Sequence, residues 1–269
     1  MINSRDKGAR GEREWAARLQ ELAGYLPAMI NSIFNMDCVR GMQEHITDGS
    51  IDCIITSPPY DNLRAYNGYS YDFKNTANEL FRVLKDGGVM VWVVGDACID
   101  GSETGSSFRQ ALYFLDLGFY LHDTMIYQKN SSAYPSKRDG NRYTQIFEYM
   151  FILCKGKPQT ASLLCDKPNK WAGYKRFETP TPDISPRTNI WQFNTSKNSS
   201  KHPAPFPEDL VRDHLMTWTL EGDLILDPFM GSGTTAYVSL MLGRCFIGFE
   251  TSIDYCDIAN DRLGLYANQ

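Results

Sequence analysis

The sequence predicts an α/β fold built on a mostly parallel sheet with helices on both faces. Three observations carry this expectation. Val89–Val94 and Leu224–Leu226 are apolar at every position, and Ile51–Ile55 is apolar but for Asp52. Such runs suit strands covered on both sides, where alternation disappears. Segments with helical spacing, such as Asn75–Leu84 and Phe108–Leu117, separate the strands. Finally, Leu224 to Leu242 reads as strand, glycine turn and helix, the unit that builds ligand sites at the ends of parallel strands. At 269 residues, the chain is long enough for one large domain or two small ones.

The elements follow in order. Residues 1–29 read as a helical extension with Trp15, Leu19 and Leu22 on one face, ended by Pro27. It resembles the first helix of restriction-like and junction-resolving nucleases, but no D…ExK pair follows and no nuclease activity is expected. Ile33–Cys38 is a short strand with Asp37 near its end, and Arg40–Ile46 is helical. The Ile51–Ile55 strand must stop at Pro58-Pro59, because neither proline can donate to a sheet ladder. Asp61–Tyr71 is rich in Tyr, Asn and Gly, which suits an adaptable loop over a ligand pocket.

The Asn75–Leu84 helix is expected to stop at Asp86-Gly87-Gly88 as a C-cap, before the Val89–Val94 strand. Gly118 closes the Phe108–Leu117 helix. Phe119–Gln128 and Gln145–Cys154 read as two strands paired antiparallel at the edge of the sheet. From 155 to 200 periodicity is lost, and Trp171, Tyr174, Phe177, Trp191 and Phe193 read as exposed aromatics among basic residues. Pro207 opens a helix to about Leu215. The Thr235–Leu242 helix, the Arg244–Glu250 strand and the Ile253–Leu265 helix complete the chain.

Composition excludes several classes. No apolar run approaches a membrane span and no signal peptide precedes the first charged residues, so a cytoplasmic protein is expected. Seven scattered cysteines show no CxxC pair and no His/Cys ligand spacing. They point to a reducing compartment, not to a disulfide scaffold or a metal site. The formal charge of -5 is unevenly spread. Residues 129–201 hold 13 Lys/Arg against 5 Asp/Glu, a net +8 set in a remainder of −13. A basic middle in an acidic body suggests one face that meets a polyanion.

Two stretches carry chemistry. Ser57-Pro58-Pro59-Tyr60 forms a stiff strand end that presents a hydroxyl, backbone carbonyls and an aromatic face. Acceptors beside a stacking ring suit an amino group on a flat ring, which is how flipped bases are held. The second stretch is Asp227-Pro228-Phe229-Met230-Gly231-Ser232-Gly233-Thr234, with Glu250 ending the next strand. A glycine turn at a helix N-terminus, followed by an acid for ribose hydroxyls, fits an adenosyl ligand. No Lys follows Gly233, so a P-loop is excluded, and Ala236 replaces the third glycine of a dinucleotide fingerprint.

Together the two motifs resemble the β group of S-adenosylmethionine-dependent DNA amino-methyltransferases, over roughly residues 30–265. The resemblance implies a Rossmann-like class I methyltransferase with a mostly parallel seven-stranded sheet, a circularly permuted motif order and a small irregular target-recognition insertion. It divides the chain into a catalytic half (30–154), a target-recognition region (155–200) and a cofactor-binding half (201–269). Ser57, Pro58, Pro59 and Tyr60 become the catalytic set. The resemblance assigns S-adenosyl-L-methionine to Asp37, His202, Pro203, Phe206, Asp227, Pro228, Phe229, Gly231, Gly233, Thr234 and Glu250. Double-stranded DNA is the implied partner, with Arg64, Lys129, Lys137, Arg138, Arg142, Lys170, Lys175, Arg176 and Lys197 as candidate contacts. Family members often dimerise, and some serve beside a cognate restriction endonuclease. Serine at the first catalytic position favours the N4 amine of cytosine, with N6 of adenine as the alternative. An RNA or protein N-methyltransferase and an inactive DNA-binding relic are the rivals from other classes.

Overall fold

The computed structural model describes residues 29–59, 71–130, 142–174, 180–194 and 206–267. In chain order it contains β1 (Ser32–Asn35), α1 (Cys38–His45), β2 (Ile51–Thr56), α2 (Phe73–Val83) and β3 (Leu84–Val94). A small hairpin follows, β4 (Cys98–Ile99) and β5 (Ser102–Glu103), then α3 (Ser106–Leu117), β6 (Tyr120–Lys129) and β7 (Phe147–Cys154). Next come a second hairpin, β8 (Cys165–Pro168) and β9 (Ile184–Pro186), and β10 (Ile190–Phe193). The chain ends with α4 (Glu208–Trp218), β11 (Leu224–Asp227), α5 (Thr234–Met241), β12 (Cys245–Glu250) and α6 (Ile253–Ala267).

The main sheet has eight strands in the order β1-β12-β11-β2-β3-β7-β6-β10, one more than the expected seven. Only β7 runs against the others; β1, β12, β11, β2 and β3 pair in parallel, and β10 pairs in parallel with β6. The additional strand comes from the segment expected to be irregular. Ile190-Trp191-Gln192-Phe193 alternates exposed and buried, and Trp191 and Phe193 are only 6% and 7% exposed. These two rings are core, not surface, because β10 lays them under α4 beside Tyr127. β10 also displaces the β6–β7 pair from the sheet edge.

Successive residues of each central strand face opposite layers. Ile54, Met90, Trp92 and Leu226 meet α1, α2 and α3 on one side. Cys53, Ile55, Val89, Val91 and Ile225 meet α4 and α5 on the other. Burying such a side chain fully contributes about 1.5–3 kcal/mol. The unbroken apolar runs of the sequence follow from this double cover. α2 ends at Val83, and its C-cap Leu84 lies three residues before Gly87. Gly87 instead takes φ 79 in the bent entry to β3, where its amide bonds the Lys155 carbonyl at 2.6 Å. Pairing with the chain beyond β7 therefore converts the expected helix stop into strand.

Gly41 fixes how closely α1 approaches the sheet. A Cβ there would lie 2.2 Å from the ring of Phe249, which is fully buried and has no space to turn. Gly41→Ala gains about 1 kcal/mol of helix propensity but incurs an overpacking cost of about 1–3 kcal/mol. Urea denaturation is expected to show a net loss of stability, opposite to the usual result of this substitution in a helix.

Candidate active site

β11 and β2 are neighbours, but their connections leave in opposite directions. From β11 the chain crosses through α5 to β12, and from β2 it crosses through α2 to β3. The crevice beyond their carboxyl ends is therefore the topological switch point, the place where open α/β sheets bind ligands. Both motifs singled out in the sequence lie there. Pairing of Ile225 with Cys53 and of Leu226 with Ile54 sets their strand ends side by side.

A buried bridge joins the two ends. Thr56, fully buried, donates its hydroxyl to Asp227 Oδ1 at 2.7 Å. Thr235 at the start of α5 donates to Asp227 Oδ2 at 2.7 Å, and the Phe229 amide donates to Oδ1 at 3.0 Å. Asp227 is 4% exposed with both oxygens engaged, so it ties strand to strand at the base of the glycine turn. Burial pushes its carboxyl up to about 6, against the lowering effect of bonds from Thr235, Thr56 and the Phe229 amide.

The glycine turn follows. Gly231 and Gly233 take φ 52 and 77, in the left-handed region. Gly233 is needed for packing as well, because a Cβ would lie 2.8 Å from Cβ of Ala259 on α6. It caps α5 without a side-chain hydrogen bond, which leaves amides of the first turn for a ligand. Glu250 accepts the Gly231 amide on Oε2 at 2.9 Å and the Ser252 amide on Oε1 at 2.8 Å. Each oxygen keeps lone-pair capacity for a hydroxyl donor. Asp37 is exposed and caps α1 by accepting the Arg40 amide at 3.0 Å. Pairing of Asn35 with Glu250 in the β1–β12 ladder brings this second acid to the same end of the sheet. Phe229 packs edge-on against Tyr71 with ring centroids 5.0 Å apart. Thr234 and Pro228 are buried, and Phe206 is half-buried against the α4 layer. Carboxylates, free helix amides and an aromatic wall form a donor set that fits an adenosyl group with a charged tail.

On the other side of the crevice, Pro58 is buried and Ser57 and Pro59 are half-buried. Tyr60, His202, Pro203 and, among the basic candidates, Arg64, Lys137, Arg138, Lys175, Arg176 and Lys197 lie outside the described residues. Lys129 pairs with Glu148 at 2.5 Å, and Arg142 donates to the Gly101 carbonyl. Arg142 also lies 3.8 Å from Glu103, and Lys170 is exposed. Sequence reasoning missed the clamp at the end of β3. Asp96, 7% exposed, accepts the Ser107 amide at 2.9 Å and the hydroxyls of Ser107, Ser106 and Thr104 at 2.5, 3.1 and 3.2 Å. Burial pushes this carboxyl up, but those bonds outweigh it and hold it below the usual range. The run Thr104-Gly105-Ser106-Ser107, rich in capping residues, is the signal that would have found it.

With this geometry, comparison with known proteins is decisive. The family model described as DNA methylase (N6_N4_Mtase) matches residues 51–261. The chain belongs to this family. It is a DNA amino-methyltransferase of the N4-cytosine or N6-adenine group. It is 52% identical over 249 residues to the orphan methyltransferase M.BamHII of Bacillus amyloliquefaciens, covering 84% of this chain and 93% of that protein. It is 28% identical over 269 residues to the type II methyltransferase M.SmaI of Serratia marcescens, covering 84% and 87%. Among solved structures, the PvuII DNA methyltransferase (cytosine-N4-specific) superposes with a TM-score of 0.67 at 21% identity, covering 86% of this chain and 85% of that one. A DNA modification methylase of Thermus thermophilus, complexed with S-adenosyl-L-methionine, superposes with a TM-score of 0.61 at 24% identity, covering 87% and 94%. These likenesses establish the class I methyltransferase fold. No helix among the described residues is long and apolar enough to cross a membrane, and no described cluster of His, Cys, Asp and Glu would hold a metal.

Asp227 gives a pH signature. Its folded pKa lies above the unfolded value, so its contribution to stability is fully present below the ordinary carboxylate range and is lost as pH rises through about 6. Asp227→Asn, which cannot ionise, is less stable than the wild type at pH 4, and that gap narrows towards pH 7. Thermal midpoints of the two proteins across this range check the sign; a gap that widens with pH refutes the assignment.

Proposed function

We propose that this DNA methylase transfers a methyl group from S-adenosylmethionine to the N4 amine of cytosine in double-stranded DNA. The observation that carries the reading is the Thr56–Asp227 bridge at the switch point, which holds Ser57-Pro58 beside the glycine turn. Glu250, Asp37 and the amides at the start of α5 are the groups that hold the cofactor. When bound, it supplies a methyl group carried on a positively charged sulfur.

The remaining chemistry belongs to the chain. The target amine is a poor nucleophile because its lone pair is delocalised into the ring. The Pro58 carbonyl and the Ser57 hydroxyl oxygen accept its two N–H groups and localise that lone pair on nitrogen. In a crevice shielded from water these bonds are stronger than in solution, and they are set before the reaction begins. The amine must give up one proton, and the same two oxygens are its first acceptors on the way to solvent. No cysteine nucleophile is needed, and the chain has no Pro-Cys dipeptide. An amine inside a duplex cannot reach such a site, so the base is turned out of the stack, with Tyr60 as its stacking partner. Cytosine is favoured by Ser57 at the first position of the motif. Most of the rate then comes from positioning.

The reading does not require a cognate endonuclease, since M.BamHII is named an orphan. Incubation with methyl-labelled S-adenosylmethionine and duplex DNA, followed by digestion and nucleoside mass spectrometry, tests it. N4-methylcytosine is the expected product. N6-methyladenine keeps the mechanism and reverses the base, while unlabelled DNA overturns the reading. Ser57→Ala is expected to slow transfer by about tenfold to a hundredfold while cofactor affinity stays unchanged. Unchanged turnover removes the serine from the mechanism.

A further inference from the structure

Trp92, near the end of β3, is fully buried, and Phe114 lies edge-on to its ring with centroids 5.1 Å apart. Its indole N–H, which can only donate, meets Gln110 Oε1 on α3 at 2.9 Å. That bond settles the orientation of the carboxamide. Oε1 faces the indole, so Nε2 is turned to the Tyr71 hydroxyl oxygen and donates to it at 3.2 Å. The Tyr71 ring packs edge-on against Phe229, in the turn between β11 and α5, with centroids 5.0 Å apart. Phe229 in turn meets Trp92 edge-on at 6.4 Å. Four side chains from separate parts of the chain thus close a circuit, and Gln110 makes both of the hydrogen bonds in it.

The circuit is anchored from outside at each corner. The Asp96 clamp holds the first turn of α3 through Ser106 and Ser107, so β3 grips this helix at two points, Asp96 and Trp92. Beside Tyr71, Asp72 caps α2 and accepts the Asn75 amide at 3.2 Å and the Asn75 side-chain amide at 2.8 Å. The backbone of Phe229 is held through its amide on Asp227. The Gln110 amide adds what these backbone bonds do not, a hold on the far end of the Tyr71 side chain.

We propose that Gln110 is a positioning residue of the cofactor site, which acts through the Tyr71 hydroxyl to set the Phe229 ring in the orientation that S-adenosylmethionine meets. The inference rests on the assignment of the glycine turn to the cofactor. Phe229 stands between Asp227-Pro228 and Gly231, and its half-buried ring forms a wall where that turn opens into the crevice. A wall set before the ligand arrives loses little ordering entropy on binding. Gln110 acts through Tyr71 and takes no part in the chemistry.

Calorimetric titration with S-adenosylmethionine tests the assignment, with the thermal midpoint of the ligand-free protein measured in parallel. Gln110→Met keeps the length of the side chain and removes both bonds, whereas Tyr71→Phe removes only the hydroxyl. Each is expected to weaken cofactor binding about fivefold, the worth of one neutral hydrogen bond. The double variant should be no weaker than either single one, because both act on the same contact. The midpoint should fall for Gln110→Met, which strands the buried Trp92 indole N–H, and hold for Tyr71→Phe. Cofactor affinity unchanged in Tyr71→Phe overturns the inference, whatever happens to the fold of Gln110→Met. Losses that multiply in the double variant overturn it as well, since the two residues then act independently. Phe229→Ala that binds S-adenosylmethionine like the wild type overturns the underlying assignment of the turn, and the inference with it.

Discussion

The arrangement depends on one buried carboxylate. Asp227 collects hydroxyls from Thr56 and Thr235 and an amide from Phe229, and these donors come from three elements: the end of β2, the start of α5 and the turn between β11 and α5. Hydrogen bonds to a charged group contribute about 1.5–3 kcal/mol each, and their loss in a dry interior costs at least as much. The carboxylate therefore fixes the distance between two strand ends that the sheet alone would hold only through their backbones. Because β11 and β2 flank the switch point, that distance is also the separation of the two halves of the site.

The glycine turn shows how packing and binding converge on the same residues. Gly233 is required by Ala259 on α6, and Gly248 by Met230, whose Cε lies 2.2 Å from where a Cβ would stand. Gly231 is held by Glu250, the acid that also faces the crevice. Arg262 on α6 donates to the Ser232 carbonyl and to Thr234 at 3.3 and 3.1 Å and pairs with Glu208 at the start of α4 at 2.5 Å. The turn is braced from the sheet, from α6 and from α4, so its amides are fixed without any ligand contributing.

Much of this was legible in the sequence because the constraints are local. Apolar runs such as Val89–Val94 declare a doubly covered strand, and Asp227-Pro228-Phe229 followed by two glycines declares a strand, turn and helix. The misreadings share another cause: each depended on a partner far along the chain. Gly87 and Gly88 look like a helix stop until Lys155 pairs with them. Ile190–Phe193 looks like loop until β6 supplies a strand to pair with. The Asp96 clamp was missed because four donors converge on it from a later turn, and no periodicity marks such convergence.

Removal of the bridging hydroxyl tests the central claim most directly. Thr56→Val preserves shape at a fully buried position and deletes only the bond to Asp227. Single-turnover transfer from bound S-adenosylmethionine to duplex DNA should slow by about tenfold or more, because small misplacements of reacting groups are costly. Cofactor affinity should change little, since the glycine turn is held from three other sides. A variant that transfers at the wild-type rate would show that the bridge does not set the geometry of the reaction.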